Sequence, residues 1–142
     1  KAIVGLHLDA RLMGVEAADG IGAFLGRRLS GFVYLLAYDA DDEASMLDNN
    51  TSCFNCRFIG GTRMASKHSL GLAVDINPLY NPSLKHGIVR PSCAGAYTDR
   101  EASFPYKIVR GDACHKAFLS RGFIWGGGWA SSKDWQHFEK TE

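Results

Sequence analysis

Two segments of this chain hold side chains able to do chemistry together. Residues 66–75 read Ser-Lys-His-Ser-Leu-Gly-Leu-Ala-Val-Asp, and residues 134–139 read Asp-Trp-Gln-His-Phe-Glu. His68, Asp75 and His137 offer two imidazoles and a carboxylate. Three protein ligands with a fourth position open is the catalytic rather than the structural zinc pattern. Asp134, three residues before His137, is a spare acid placed to serve as general base towards a water activated by that metal.

The spacing of His68 and Asp75 constrains the backbone between them. Seven positions along a straight helix separate them by ~10 Å along the axis, and along a straight strand by more than ~20 Å, on opposite faces. Two ligands of one zinc must bring their donor atoms within about 4 Å, since each bond is ~2 Å. The chain must therefore bend, and Gly71 supplies a permissive backbone for it. His68 then belongs on a loop and Asp75 on the strand that follows. Asp75 stands between Val74 and Ile76, where a carboxylate is costly unless it is paired or metal-bound. His7, His86 and His115 stand singly and are read as structural or exposed.

The elements that would position these groups are short. An apolar strand is expected at 2–6, a glycine-interrupted helix at 15–29 and a strand at 32–38. The acidic 39–50 stretch reads as a surface loop, 52–59 as a strand, 72–76 as a buried strand stopped by Pro78, and 78–91 as an irregular loop. Asp112 looks like an N-cap and Gly122 a stop, which predicts a helix over 113–121. A strand at 123–125, a Gly126-Gly127-Gly128 turn and a final strand at 135–139 follow. Strands and helices do not alternate regularly, so the expected class is α+β, a small antiparallel sheet with flanking helices.

Composition agrees with a single domain over 1–142. The chain is 46% hydrophobic and 22% charged. A net charge of +1 argues against nucleic acid as a partner. No apolar run approaches the ~20 residues of a transmembrane helix, and no signal peptide is visible. Cys53, Cys56, Cys93 and Cys114 permit two disulfides. Residues 49–52 hold two overlapping glycosylation sequons, a weak pattern.

At the residues named first, the chain resembles the zinc D-alanyl-D-alanine carboxypeptidases and related peptidoglycan endopeptidases, including phage endolysins and the dipeptidases of vancomycin resistance. Their pattern, S-x-H-x-x-G-x-A-x-D followed much later by acid-x-x-H, is met by Ser66, His68, Gly71, Ala73 and Asp75, then Asp134 and His137. The likeness extends to blocks at 50–57, 75–82, 97–100 and 122–129, and so covers roughly 50–139; residues 1–48 match loosely. Three departures stand out: Gly128 occupies a place where the related subgroup usually carries an acid, the cysteine set is unusual, and the 14–31 segment is unusually rich in glycine.

The resemblance implies the small α+β zinc fold shared with hedgehog signalling proteins. It implies zinc on His68, Asp75 and His137, Asp134 as base, and an oxyanion-stabilising arginine, carried to Arg57 with Arg63 as the alternative. Ser66 would hold the ligand loop or bind substrate, and Trp135 and Gln136 would shape the substrate cleft. The implied substrate is a bacterial cell-wall stem peptide cut beside a D-amino acid. A D-Ala-D-Ala carboxypeptidase or dipeptidase leads, with an L-alanyl-D-glutamate endopeptidase and a non-catalytic zinc-stabilised binding module as alternatives. A secreted, periplasmic or cell-envelope monomer is expected, with at least one disulfide joining Cys53 or Cys56 to Cys93 or Cys114.

Overall fold

A computed structural model describes residues 38–39, 41–59 and 62–141. The elements expected at 2–6 and 15–29, and nearly all of that at 32–38, lie outside the described residues. The described part is α+β and contains two small antiparallel sheets.

The first sheet holds β1 (Ala73–Asp75), β6 (His137–Lys140) and β4 (Phe123–Trp125), in the order β1-β6-β4. Alternation assigns its faces. Val74 pairs with Phe138, and Phe138 with Trp125, on the core side. Asp75 pairs with His137, and Ala73 with Glu139, on the other side. Beneath the core side runs α2 (Ala113–Leu119), whose Phe118 stacks on Phe138 at 4.5 Å between ring centroids and meets Phe123 edge-on at 5.2 Å. Val74, Ile76, Ile108 and Cys114 complete this core. The cap expected for α2 is present: the Asp112 side chain accepts from the His115 N–H at 2.7 Å. Gly122 follows at φ +79°.

The second sheet holds β3 (Ile88–Arg90), β2 (Ser83–Lys85) and β5 (Lys133–Asp134), in the order β3-β2-β5. It corrects two expectations. The 78–91 stretch is a hairpin rather than an irregular loop, turned by His86 and Gly87, both at positive φ. The strand expected at 135–139 starts only at His137, as β6 in the first sheet, and is preceded by a separate short strand, β5, in the second. Trp135 and Gln136 carry the chain from one to the other, so Asp134 and His137 approach the same crease from different sheets.

Further corrections lie outside the two sheets. The acidic 39–50 stretch contains a helix, α1 (Asp42–Leu47), capped by Asp41. The 52–59 stretch is no continuous strand; it makes isolated bridges, Ser52 to Asp75 and Phe58 to Ala65. All four cysteines are free. Cys114 is sealed in the core and Cys53 lies against it, whereas Cys56 and Cys93 face solvent on separate loops, so the thiols occupy unlike surroundings. The sequon asparagines Asn49 and Asn50 are buried, where no glycan fits.

Candidate active site

His68 sits in a 3-10 turn, Lys67–Leu70. Ser66 caps it, its Oγ accepting from the His68 N–H at 3.2 Å. Gly71 closes it in the left-handed conformation, φ +69°, and its N–H donates back to the His68 carbonyl. This is the bend that the His68–Asp75 spacing required. The Ser69 hydroxyl pins the turn to the preceding segment, donating to the Arg57 carbonyl at 2.6 Å. Asp75 stands on β1 between two partners: Ser52, which exchanges backbone hydrogen bonds with it, and His137 across the sheet.

The three side chains converge. His68 Nε2 lies 3.2 Å from Asp75 Oδ2 and 3.2 Å from His137 Nδ1, and His137 Nδ1 lies 2.9 Å from Asp75 Oδ1. Each residue is buried. The outer nitrogens are engaged elsewhere. His68 Nδ1 lies 3.0 Å from the Cys53 carbonyl, and His137 Nε2 lies 3.0 Å from Glu139 Oε2. Both partners are acceptors, so each outer nitrogen carries the proton and donates. In the neutral rings both inner nitrogens would then present lone pairs to each other and to a carboxylate.

Three buried acceptors about 3 Å apart repel unless a cation lies among them. A tetrahedral ion with ~2 Å bonds has ligand–ligand edges of about 3.3 Å, close to the spacings here. The donor set fits a zinc-sized cation.

The charges of the chain alone tell the same story. Burial pushes the Asp75 carboxyl up, but the His68 charge and the hydrogen bonds from His137 and His68 outweigh it and hold Asp75 well below the usual carboxylate range. Burial pushes His137 down, but its hydrogen bonds to Asp75 and Glu139 dominate and raise it to about 10. A proton on Nδ1 therefore fills the place that a cation would take.

Asp134 stands outside the three-residue cluster. The residue is partly exposed, yet its Oδ1 is sealed from solvent without a hydrogen-bond partner, as is Gln136 Oε1. Burial, followed by the charge of Asp75, pushes Asp134 up to about 7 against the pull of His137, His68 and Gln136. A carboxyl poised near neutrality beside a candidate metal set is suited to exchanging protons. Gly126 makes room for it: a Cβ there would stand 2.7 Å from the Asp134 carbonyl oxygen, 2.9 Å from Asp134 Cβ and 3.3 Å from His137 Cβ.

The remaining predicted residues are placed less directly. Ser66 is buried and spends its oxygen on the cap. Trp135 is buried behind the crease, with Arg100 stacked on its ring at 4.8 Å and its carbonyl accepting from the Trp125 indole at 2.9 Å. Gln136 is buried, and its carbonyl accepts from the Ile76 N–H. Arg57 is 41% exposed in its side chain, with Nε 3.6 Å from Asp42 Oδ2; the structure brings it to α1 rather than to the cluster. Arg63 is exposed. At Gly128, where the related subgroup carries an acid, the Arg110 guanidinium comes within 3.1 Å of where a Cβ would stand.

Sequence reasoning assigned no role to Glu139. The signal was available: His-x-Glu on a strand puts both side chains on one face. It also missed the Cys53 carbonyl, which no side-chain pattern reports.

Residues 60–140, more than half of the chain, match a family model described as D-alanyl-D-alanine carboxypeptidase. No curated protein and no solved structure matches the chain.

Proposed function

Because the chain belongs to the D-alanyl-D-alanine carboxypeptidase family, we propose that it is a zinc peptidase that removes a terminal D-alanine from cell-wall stem peptides. Family membership supports a metal-dependent peptidase acting on such peptides; the metal identity, the cleaved bond and a cell-envelope location are our reading. The observation that carries it is the convergence of two inner imidazole nitrogens and the Asp75 carboxylate within about 3 Å, with each outer imidazole nitrogen already engaged.

His68, Asp75 and His137 would hold the zinc, which when bound supplies a Lewis acid for the scissile carbonyl and an activated water. Asp134 takes the proton released as the water attacks and returns it to the leaving amine. Its unpartnered Oδ1 and raised pKa support that role. Gly126 keeps the carboxyl close to His137. Arg57 is our choice for the developing oxyanion charge. Its pairing with Asp42 is long and solvent-exposed, the kind of contact worth at most about 1 kcal/mol and readily exchanged.

Mass spectrometry of a stem pentapeptide incubated with the zinc-loaded protein tests the reading. Loss of one D-alanine is the expected product. Release of D-alanyl-D-alanine would mean dipeptide cleavage and release of L-alanine an endopeptidase. An intact peptide would leave a binding module.

A further inference from the structure

We infer that Glu139 is a positioning residue for the candidate metal set, holding His137 by its outer nitrogen so that Nδ1 faces Asp75 and His68. This rests on the metal reading above.

The argument starts from register. His137 and Glu139 are two apart on β6, so both project from the face opposite the core, across from Asp75 and Ala73. Ala73 is small and fully buried, and presents only a methyl opposite Glu139. Glu139 Oε2 lies 3.0 Å from His137 Nε2, and the side chain keeps 21% of its exposure, so one carboxylate edge is committed to the ring. His137 is thereby gripped at both nitrogens by carboxylates, Asp75 on Nδ1 and Glu139 on Nε2. The Trp129 ring flanks it at 5.5 Å.

The two imidazoles are held unequally. They face the set through opposite nitrogens, and their outer partners differ in charge. His68 donates to a neutral carbonyl, that of Cys53, and His137 to a carboxylate. A carboxylate partner fixes the tautomer as a carbonyl does and also makes the imidazole a stronger donor.

The test measures zinc affinity by competition with a chelating dye, and unfolding of the zinc-free protein in parallel, for wild type, Glu139→Gln and Glu139→Ala. Loss of such an outer partner typically weakens metal binding ~10–100-fold. Glu139→Ala is expected towards the upper end. Glu139→Gln keeps an acceptor but loses the charge and is expected near tenfold; it also serves if the alanine variant does not fold. In both, the cobalt-substituted protein should show the visible spectrum of the cobalt-substituted wild type, since all three candidate ligands remain. Wild-type zinc affinity in either folded variant, with only the unfolding midpoint shifted, would make Glu139 an ordinary strand residue and overturn the inference. A wild-type chain that takes up no zinc would overturn the metal reading itself, and Glu139's role with it.

Discussion

Zinc capture by this chain should be strongly coupled to pH, and the size of the effect follows from two groups. Without a cation, His137 holds a proton up to about pH 10, against the pull of burial, because Asp75 and Glu139 both accept from it. Zinc needs the Nδ1 lone pair, so loading expels that proton. Asp134 sits at about 7, and after burial the largest push on it is the charge of Asp75. A dication on Asp75 cancels that push, so loading also releases whatever proton Asp134 still carries. Each proton released makes affinity rise about tenfold per pH unit. Between about pH 7 and about pH 9, His137 contributes about two decades and Asp134 about a factor of two. Zinc should bind roughly 200-fold more tightly at the higher pH, a difference of about 3 kcal/mol. Chelator competition at about pH 7, 8 and 9, corrected for the chelator's own protonation, reads the slope. Calorimetry in two buffers of different ionisation enthalpy counts the protons. An affinity flat across this range, with buffer-independent heat, would refute the protonated His137 and the proton release that sets the slope.

Asp134→Asn should keep its zinc while turnover falls by ~10²–10⁴; loss of zinc would instead make Asp134 a ligand. Arg57→Ala should lower turnover by ~10²–10³ with zinc content and melting temperature unchanged, and unaltered turnover would confine Arg57 to its contact with Asp42. Gly126→Ala should force apart β5 and β6, since its Cβ would meet Asp134 backbone rather than a yielding side-chain tip. A cost of about 1–3 kcal/mol by denaturant unfolding is expected, with weakened turnover, and wild-type stability would show that the crease can open freely.

What could be read from the residues is mostly local or chemical. The bend at Gly71, the Asp112 cap and the strand around Asp75 are each set within a few positions, and each is found. The three converging side chains were legible because few other His and Asp spacings could gather them. The hairpin at Ser83–Arg90 was hidden by its turn, where His86 rather than the usual Asn or Asp precedes Gly87 in the positive-φ pair. Helix α1 has six residues, too few for a period to declare itself. The change of sheet between β5 and β6 depends on which neighbour each pairs with, a tertiary choice that alternation along one segment cannot express. The expected disulfide came from an argument about compartment rather than geometry, and the free thiols show the difference. Glu139 was in plain view, two residues from His137 and inside the expected strand, but its contact with the outer ring nitrogen is a side-chain distance that alternation does not supply.

The cross-strand pairing of Asp75 with His137 also bears on when the site comes into being. His68 and Asp75 are neighbours in the chain, whereas Asp75 and His137 are 62 residues apart. Closing a loop of that length costs roughly (3/2)RT ln n, about 4 kcal/mol before any constant term, and contacts of such separation form slowly. During synthesis, the first two ligands leave the ribosome well before the third exists. A two-ligand fragment has only a loose grip on a cation. With the proposed ligand set, zinc would be gripped fully only when β6 zips against β1, the same event that seats Phe138 in the core. Metal uptake would then report the closing of β6 on β1, and a nascent chain that stalls short of β6 would have neither a closed core nor a complete ligand set.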